Sequence, residues 1–497
     1  MYNTGRFGSA KTFREAVMTE TDCTGLRVGL ANPPTFENPG KFFRPVRFPT
    51  FNYATPVMHP PLFLLLAASY LRDVAHCEVQ FIDAQAPGLT VDEYVDAAIK
   101  FKPDLLVFET CLPSFANDID VARLVKKRCD CKVVFCGAQV GAVPEEMLQR
   151  GGGVLDAVVM GEYELTLQEL AACRCARPVP GSAIIIEGEI KKGPPRTALE
   201  ELDLIPPPDR SLLHNKCYYD PLLKNPFAYF LAGRGCVHRC TFCSWPQTFT
   251  GNRYRTRKPE LVAEEVRSSL AADPSVRSFL FNDDTFTSKR ENVIAICREL
   301  KKAGVKIPWG CYARADLADE EMLRAMRDAG CYLLKIGVES ADEKILRECR
   351  KGYQLDKVEN AVALMKRLAY HVHATFTFGL PGETQASIDH TVAWAKKLAP
   401  TTVQFSVAVP YPGTVFYDYL REHGCLRSTE WADFVPLRPL YDYPEISGEE
   451  LIHQMKRAYA SYYLRPQYFP MALRRFIDEP ALFPAVLRKF FSLIWQR

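Results

Sequence analysis

Strand-like and helix-like segments alternate in two separate series along the 497 residues of this chain. In the first series, short apolar runs alternate with stretches of helical periodicity. The predicted strands are residues 28–31, 79–82, 105–108, 133–136 and 157–160, and the predicted helices are residues 62–71, 91–99, 119–125 and 166–170. Because strands joined by helices pair in parallel, this series predicts an α/β fold with a doubly wound parallel sheet over residues 25–177.

The second series begins near residue 225 and contains six strand-like segments. They are residues 228–232, 278–281, 309–312, 332–336, 373–378 and 403–407, with helical segments at 259–270, 291–303, 320–329, 355–368 and 387–398. This repetition predicts a partial (β/α)6 barrel over residues 225–425, followed by a helical C-terminal region at 426–497. Residues 1–24 are expected to form an N-terminal tail, and residues 178–224 a hairpin and a proline-stiffened linker.

Composition argues against several classes of protein. The net charge of +3 at pH 7 gives no indication of nucleic acid as a partner, and no apolar run approaches the ~20 residues of a transmembrane helix. The first 23 residues carry charges of both signs without an apolar core, so no signal peptide is expected. We therefore expect a cytoplasmic protein whose 17 cysteines stay reduced, where clustered thiolates serve metals or catalysis.

Three cysteines are clustered directly after the first strand of the second series. Cys236, Cys240 and Cys243 have C-x3-C-x2-C spacing, and glycines at 233 and 235 allow the backbone to fold closely around a bound group. Thiolates hold iron–sulfur clusters, and three of them leave one iron of a [4Fe–4S] cluster open for an outside ligand. The alternative is zinc, although structural zinc normally takes four ligands from two spaced pairs. Positive charge beside the anionic centre is expected from Arg234, His238 and Arg239.

This motif, together with the strand-end segments described next, resembles the radical S-adenosylmethionine (SAM) superfamily. In that superfamily, SAM chelates the open iron through its amino and carboxylate groups, and an electron from the reduced cluster yields a 5′-deoxyadenosyl radical. The resemblance therefore implies an enzyme with a [4Fe–4S] cluster held by the three cysteines, SAM as a cofactor, and an electron donor such as flavodoxin or ferredoxin. The sequence does not mark the substrate pocket, so no catalytic residue is named.

Segments at the ends of the predicted strands imply the SAM-binding residues. Asp283 and Asp284 follow the second strand, where the superfamily binds the SAM amino group, and this chain has Asp-Asp in place of the more common Gly-Gly-Glu. Glu339 and Ser340 follow the fourth strand, where the superfamily contacts the ribose and the SAM carboxylate, and Arg314 is a further candidate in that region. Taken alone, an Asp pair more often caps a helix.

A glycine-rich segment follows the fifth strand. Gly379, Gly382 and Glu383 resemble the superfamily's segment on the adenine side of SAM. By itself this segment is also typical of a turn followed by a helix start. The agreement of several weak motifs in the right order is what supports the resemblance.

Taken with the second domain, residues 25–177 resemble the cobalamin-binding domain of class B members of the superfamily. Asn32 stands with two prolines at the end of the first strand, and Asp83 follows the second strand, as in that family. The usual motif of a cobalt-binding histidine is absent here, as it is in many class B members. The resemblance implies cobalamin as a third cofactor, and a domain that binds nothing is the alternative.

The resemblance implies a cobalamin-dependent radical SAM enzyme that acts on a small molecule, with methylation of an unactivated carbon as the more common outcome in the class. A radical oxidative cyclase or a rearrangement enzyme acting on a tetrapyrrole or a lipid is one alternative, because the layout is similar to that of anaerobic magnesium-protoporphyrin ester cyclase. A non-catalytic iron–sulfur or zinc module is the other alternative.

The C-terminal tail, residues 464–497, combines basic and aromatic side chains. This pattern is typical of an amphipathic helix that lies on a membrane surface, and it also fits a helix packed against the barrel. Peripheral membrane contact through the tail is therefore expected as one of two arrangements.

Overall fold

The computed structural model describes residues 23–37 and 57–468, with the backbone alone at 42–43, 50–51 and 215. Nearly all of the predicted N-terminal tail and most of the predicted membrane-contacting tail lie outside the described residues. The chain forms two compact units. Among the described residues, the first unit comprises 23–37, 61–111 and 116–213, and the second comprises 42–43, 50–51, 57–60, 112–115 and 214–468.

The first unit is built on a seven-stranded sheet. Its strands are β1 (Arg27–Asn32), β2 (Glu78–Asp83), β3 (Leu105–Glu109), β4 (Lys132–Cys136), β5 (Ala157–Val159), β6 (Ser182–Ile186) and β7 (Glu189–Lys192). In space they follow the order β2-β1-β3-β4-β5-β6-β7, and the first five are parallel. All five residues of β3 are buried, as expected for a central strand covered on both faces.

Helices connect the parallel strands of the first unit. They are α1 (Leu62–Asp73), α2 (Val91–Phe101), α3 (Phe115–Lys126), α4 (Pro144–Arg150) and α5 (Glu164–Ala172). The start of α2 is fixed by a capping box, in which the Thr90 hydroxyl accepts a hydrogen bond from the backbone N–H of Glu93 at 3.3 Å.

The hairpin β6–β7 belongs to this sheet. Strand β6 pairs antiparallel with β5, and β7 pairs antiparallel with β6. Ala183 and Ile184 are fully buried, so the apolar half of the hairpin covers the edge that β5 would otherwise expose. The sheet therefore continues past residue 177, where the sequence alone ended the first domain.

The second unit is built on a six-stranded parallel sheet. Its strands are β8 (Phe227–Phe230), β11 (Ser278–Phe281), β12 (Trp309–Ala313), β13 (Cys331–Glu339), β14 (His371–Phe378) and β15 (Thr402–Val407), in that spatial order. A two-stranded antiparallel hairpin, β9 (Gly233–Arg234) with β10 (Arg255–Thr256), follows β8. Two further two-residue strands, Phe42–Phe43 and Thr50–Phe51, pair with each other.

The helices of the second unit alternate with its strands and then continue beyond them. They are α6 (Ser244–Thr248), α7 (Pro259–Ala272), α8 (Arg290–Lys302), α9 (Glu320–Asp328), α10 (Glu343–Glu348), α11 (Leu355–Arg367), α12 (Gln385–Leu398), α13 (Val415–Glu422) and α14 (Gly448–Tyr463). The predicted fold class, with its helical C-terminal region, is confirmed. Among the described helices, none is both long and apolar enough to cross a membrane.

The two faces of the six-stranded sheet differ in chemistry. On one face, the rings of Phe279, Phe281 and Trp309 pack with centroids 5.3–6.0 Å apart. The strand register places Tyr312 beside Lys335, and Lys335 beside His373, on the other face. Side chains alternate along a strand, so one face forms an aromatic core and the other carries polar groups.

Candidate functional site

The cysteine motif lies on the loop between β9 and α6. Cys240 is buried, Cys236 and Cys243 are half-buried, and none of the three is in a disulfide bond within the described chain. Cys243 is the residue immediately before α6, and its N–H donates to the carbonyl of Cys240 at 3.2 Å. The loop is therefore a tight turn that presents three thiols.

Gly235 fixes the path of this loop. It has φ +90°, and a Cβ there would lie 1.9 Å from the carbonyl oxygen of Arg253, two residues before β10. Next to it, the N–H of Cys236 donates to the carbonyl of Gly251 at 3.2 Å. Only glycine combines this φ with so close an approach of two backbones.

Gln247 on α6 holds the loop from the other side. Its Nε2 lies 3.2, 3.2 and 2.7 Å from the carbonyl oxygens of Cys240, Thr241 and Cys243. Its Oε1 accepts the N–H of Val415 at 3.1 Å. One amide therefore organises the carbonyls of two motif cysteines, a role that no sequence pattern indicated.

Asp283 and Asp284 are directed to the backbone that leads to the cysteine loop. Asp283 accepts the N–H of Ala232 at 3.0 Å and the hydroxyl of Tyr254 at 2.9 Å, and Asp284 accepts the N–H of Gly235 at 2.7 Å. Burial raises the pKa of Asp283 to about 7. The sequence placed these carboxylates at the SAM amino group; that contact stays a prediction, and the structure adds a role in holding the loop.

Glu339 ends β13 at a bulge and is the centre of a buried polar group. It has φ +73°, and the strand register shifts between Gly337 and Glu339. Its Oε1 accepts from Lys351 Nζ at 2.9 Å and its Oε2 accepts from the Thr377 hydroxyl at 2.7 Å. A Cβ on Gly337 would lie 2.4 Å from Glu339 Oε1, so this glycine leaves room for the turned carboxylate.

Lys351 was not identified from the sequence, because a lysine after a short helix is normally a solvated side chain. Its side chain is only 8% exposed. Burial alone would lower the pKa of Lys351, but Glu339 raises it above its usual range, so the ammonium stays charged. A buried lysine is retained in this way only beside a fixed counter-charge.

Arg314 adds a second buried cation to the same region. Its guanidinium binds Asp316 through two hydrogen bonds of 2.9 Å, donates to the carbonyl of Lys351 at 2.9 Å, and lies 4.5 Å from the centre of the Tyr353 ring. Burial raises the pKa of Cys240, whereas Lys351 and Arg314 lower it. Burial outweighs the two cations, so the pKa of Cys240 is raised overall and the cations offset only part of that rise.

His238, within the motif, does not contribute charge as the sequence suggested. Burial, followed by repulsion from Arg314, lowers the pKa of His238 to about 4, so the imidazole is neutral at pH 7. The expectation of a positive His238 is corrected for this reason, and Arg314 and Lys351 supply positive charge near Cys240 instead.

Ser340 is buried beside Glu339. Its hydroxyl accepts the N–H of Asp342 at 3.1 Å and lies 3.3 Å from the Thr391 hydroxyl. Asp342 in turn caps α10, since its carboxylate accepts the N–H of Lys344 at 2.8 Å. Ser340 thus supports the start of α10, and its predicted contact with SAM stays a prediction.

The segment that contains Gly379, Gly382 and Glu383 is held by the C-terminal region. The hydroxyls of Tyr441 and Tyr443 both donate to the carbonyl of Gly379, at 3.0 and 3.1 Å. Gly379 and Gly382 have φ +79° and +85°, and a Cβ on Gly379 would lie 2.2 Å from the Tyr441 hydroxyl. Burial raises the pKa of Glu383 to about 7, although its carboxylate accepts the Gly379 N–H at 3.2 Å.

The donor set of the cysteine loop fits an iron–sulfur cluster. Among the described residues, no three His, Cys, Asp or Glu side chains are gathered as a single metal ion requires. In a cubane each thiolate binds a different iron, so three cluster ligands stand apart rather than converging on one point. Three thiols on one turn, one of them beside Lys351 and Arg314, match that donor chemistry.

In the first unit, polar side chains lie where the parallel strands end. Asn32 Nδ2 donates to Asp83 at 2.8 Å, the Gln85 N–H donates to the same oxygen at 3.2 Å, and the Tyr163 hydroxyl donates to Glu109 at 2.8 Å. All five side chains are buried. Ligands of doubly wound sheets bind beyond this edge, so these residues form the candidate cofactor rim.

One acceptor of this rim, on Gln85, has no partner among the described residues. Gln85 Nε2 donates to the carbonyl of Pro33 at 2.6 Å, but its Oε1 is buried and accepts no hydrogen bond from the part of the chain that the structure describes. A buried acceptor left alone costs free energy, about 1–3 kcal/mol, so a bound donor would stabilise it. Cobalamin carries amide side chains that are such donors, and the rim therefore fits the predicted cofactor.

Both halves of the chain match families of known proteins. The radical SAM superfamily matches residues 230–395, and the B12 binding domain matches residues 54–171. An uncharacterized methyltransferase of Pyrococcus horikoshii is 31% identical over 82% of this chain and 88% of its own length. The anaerobic magnesium-protoporphyrin IX monomethyl ester cyclase of Rubrivivax gelatinosus is 26% identical over 73% of this chain and 66% of its own length.

The fold has a counterpart among solved structures. The radical SAM methyltransferase TsrM of Kitasatospora setae, with cobalamin and a [4Fe–4S] cluster bound, superposes with a TM-score of 0.63 over 80% of this chain and 78% of that chain, at 18% identity. The predicted enzyme class and the predicted cofactors, a [4Fe–4S] cluster, SAM and cobalamin, are confirmed by the two matched domains. The chain belongs to the radical SAM superfamily, among the members that carry a B12-binding domain ahead of the radical SAM domain.

Proposed function

We propose that this enzyme methylates an unactivated carbon of a small molecule, using a methyl group carried by cobalamin. The single observation that carries this reading is the 31% identity to a methyltransferase over 88% of that protein's length. When bound, the reduced cluster and SAM supply a 5′-deoxyadenosyl radical, and methylcobalamin supplies the methyl group.

In this proposal Cys236, Cys240 and Cys243 bind three irons and leave the fourth for SAM. Cys240 takes the most buried position, where the positive charges of Lys351 and Arg314 offset part of the effect of burial on its pKa. Gly235, Gln247 and the two aspartates hold the loop in place; their described contacts are with protein groups. We call them positioning residues for that reason.

Glu339 and the Gly379 segment are the proposed contacts for the nucleoside part of SAM. The carboxylate of Glu339 is fixed by Lys351 and Thr377, and a fixed carboxylate can accept hydrogen bonds from ribose hydroxyls. The turn at Gly379 is fixed by two tyrosine hydroxyls, and its peptide groups are the proposed neighbours of the adenine ring. Arg314, Ser340, Gly382 and Glu383 remain proposed supporting residues of this pocket.

Anaerobic reconstitution tests the proposal directly. The protein, incubated with iron, sulfide, SAM and a reductant, is expected to hold about four irons per cluster and to release 5′-deoxyadenosine. Cys240→Ala is expected to abolish that release, whereas Cys217→Ala, an exposed cysteine outside the loop, is the matched control. Equal 5′-deoxyadenosine release by Cys240→Ala and wild type would contradict the proposal that a cluster held by these cysteines cleaves SAM.

Radical cyclisation is the second candidate, favoured by the 26% identity to the magnesium-protoporphyrin ester cyclase. The two candidates differ in what happens to the methyl group of SAM. With methyl-labelled SAM, a methyltransferase gives a labelled product, whereas a cyclase gives an unlabelled product. A small-molecule substrate, flavodoxin or ferredoxin as electron donor, and a cytoplasmic location complete the proposal.

A further inference from the structure

A cleft of about 650 Å³ lies in the second unit, at the C-terminal ends of three helices. It is lined by Lys366 of α11, Lys396 and Lys397 of α12, Ala399, Arg465 and Gln467. Four of these six residues are cations, and the residues of the cysteine site do not line it. The cleft is therefore a separate surface, with a strong positive charge.

The positive charge of this basic cleft is only partly compensated. Lys397 Nζ lies 2.8 Å from Glu359 Oε1, which is the one ion pair of the four cations among the described residues. Lys366 Nζ is 3.4 Å from the carbonyl of Leu398. Lys396 has no hydrogen bond or ion pair from its ammonium within the described part of the chain. The cleft thus keeps three cationic charges without a carboxylate partner.

Arg465 is positioned as an anion-binding group. Its guanidinium stacks 4.0 Å from the centre of the Tyr462 ring, and its Nη1 donates to the carbonyl of Lys396 at 2.9 Å. Its Nε is buried and has no acceptor among the described residues. A guanidinium fixed on an aromatic ring with an unused donor is well suited to bind a phosphate oxygen.

We propose that the basic cleft binds the phosphate groups of anionic lipids at a membrane surface. The sequence that continues from the cleft supports this occupant, because residues 469–497 contain five Arg or Lys, two acidic residues and six aromatic residues. Cations attract anionic headgroups, and aromatic rings favour the interface between headgroups and acyl chains. This inference is independent of which reaction the enzyme catalyses.

Vesicle co-sedimentation of the full-length protein tests the proposal. The variant Lys366→Gln/Lys396→Gln/Lys397→Gln removes three cleft charges and keeps most of each side chain. The matched control is Lys301→Gln/Lys302→Gln/Lys306→Gln, three exposed lysines in and just after α8, of which Lys302 pairs with Glu299 at 2.8 Å as Lys397 does with Glu359.

The wild type and the control are expected to sediment with phosphatidylcholine vesicles that contain phosphatidylglycerol, and to stay in solution with phosphatidylcholine alone. The cleft variant is expected to bind about 100-fold more weakly, from roughly 1 kcal/mol per cation near an anionic surface. Should that variant lose stability in thermal unfolding, Lys396→Gln alone, at the lysine whose ammonium has no partner among the described residues, is expected to weaken binding about 5-fold.

Several outcomes would overturn the proposal. The first is equal vesicle binding by the cleft variant and the control, which would show that binding depends on overall charge or on residues 469–497 and not on the cleft. The second is wild-type protein that stays in solution with anionic vesicles. The third is saturable binding of inorganic phosphate by wild type, absent in the cleft variant, without vesicle binding, which would make the cleft a site for soluble phosphate.

Discussion

Lys351 Nζ lies 2.9 Å from Oε1 of Glu339, and the two side chains are only 8% and 7% exposed. In the second unit this buried ion pair joins the end of β13 to the segment after α10. Each charge is kept inside only because the other is present, since an isolated buried charge costs several kcal/mol. Loss of one partner should therefore destabilise the unit and disturb the proposed SAM pocket.

Removing the lysine alone should be more damaging than removing both charges. We expect Lys351→Met to lower the Tm by about 10 °C, because a buried carboxylate without its partner costs about 3–5 kcal/mol. The double variant Lys351→Met/Glu339→Gln should recover most of that loss. Lys344→Met, at an exposed lysine on α10, is the control. Thermal unfolding followed by circular dichroism measures all four proteins, and a double variant as unstable as the single one would contradict the pairing.

Two glycines near the cysteine loop share a conformation but differ in their surroundings. Gly235 and Gly251 have φ +90° and +79°, yet a Cβ would meet Arg253 O at 1.9 Å only at Gly235, while nothing lies within 4 Å of a Cβ at Gly251. We expect Gly235→Ala to lose nearly all reconstituted iron, and Gly251→Ala to keep it at a cost of about 1 kcal/mol in stability. Iron and sulfide assays after gel filtration give the result, and iron loss that is the same in both variants would show that the contact is unimportant.

Gln247 is expected to control how firmly the loop keeps its cluster. Gln247→Leu has a similar volume but cannot donate to the carbonyls of Cys240 and Cys243 or accept from Val415. Because several hydrogen bonds worth about 1 kcal/mol each are lost, we expect iron to be lost to a chelator about 10- to 100-fold faster. Gln354→Leu, at an exposed glutamine, is the control. The decay of cluster absorbance measures the rate of iron loss. Equal rates in the two variants would show that Gln247 does not stabilise the loop.

Glu383 gives a pH dependence with a defined sign. Burial raises its pKa from 4.5 to about 7, so the folded chain favours the protonated carboxyl. The stability from this group is complete below about pH 4.5 and is lost as the pH rises toward about 7. We therefore expect the Tm of Glu383→Gln, compared with wild type, to improve between pH 5 and pH 8 (roughly the window set by the two pKa values).

The control for that experiment has the opposite sign. The Lys397 ammonium and the Trp394 indole lower the pKa of Glu359, so its contribution is lost as the pH falls. Glu359→Gln should therefore become more favourable, relative to wild type, toward low pH. A Glu383→Gln profile that is parallel to wild type across the range would show that Glu383 does not titrate as described.

The positions of strands and helices could be predicted from the sequence more accurately than the contacts between them. Apolar periodicity located every strand of the two parallel sheets within a few residues, because burial of alternate or helical faces is a local property of the chain. The hairpin β6–β7 was found, but its place in the first sheet was not. Which edge a hairpin covers depends on the exposed edge of β5, and no local pattern records that edge.

The same distinction applies to the candidate site. The cysteine triad is visible because three thiols with fixed spacing are rare, and its role as a cluster ligand set stays a prediction. Lys351 and Gln247 were missed, because lysine and glutamine are usually solvent-exposed residues. Their structural roles depend on contacts with residues distant in the sequence. Asp283 and Asp284 were correctly singled out as strand-end residues, while their bonds to the loop backbone required the folded chain.

The carbonyl of Gly379 accepts hydroxyls from both Tyr441 and Tyr443, residues more than sixty positions further along the chain. The helical C-terminal region is thus fastened to a turn proposed to touch the adenine of SAM. A shortened protein that stops after β15 would keep all six strands and still lose the fastening of that turn. A C-terminal region taken from a relative and joined to this barrel would have to place two hydroxyl groups at the same position. The two tyrosine side chains therefore limit which C-terminal regions can be exchanged between enzymes of this kind.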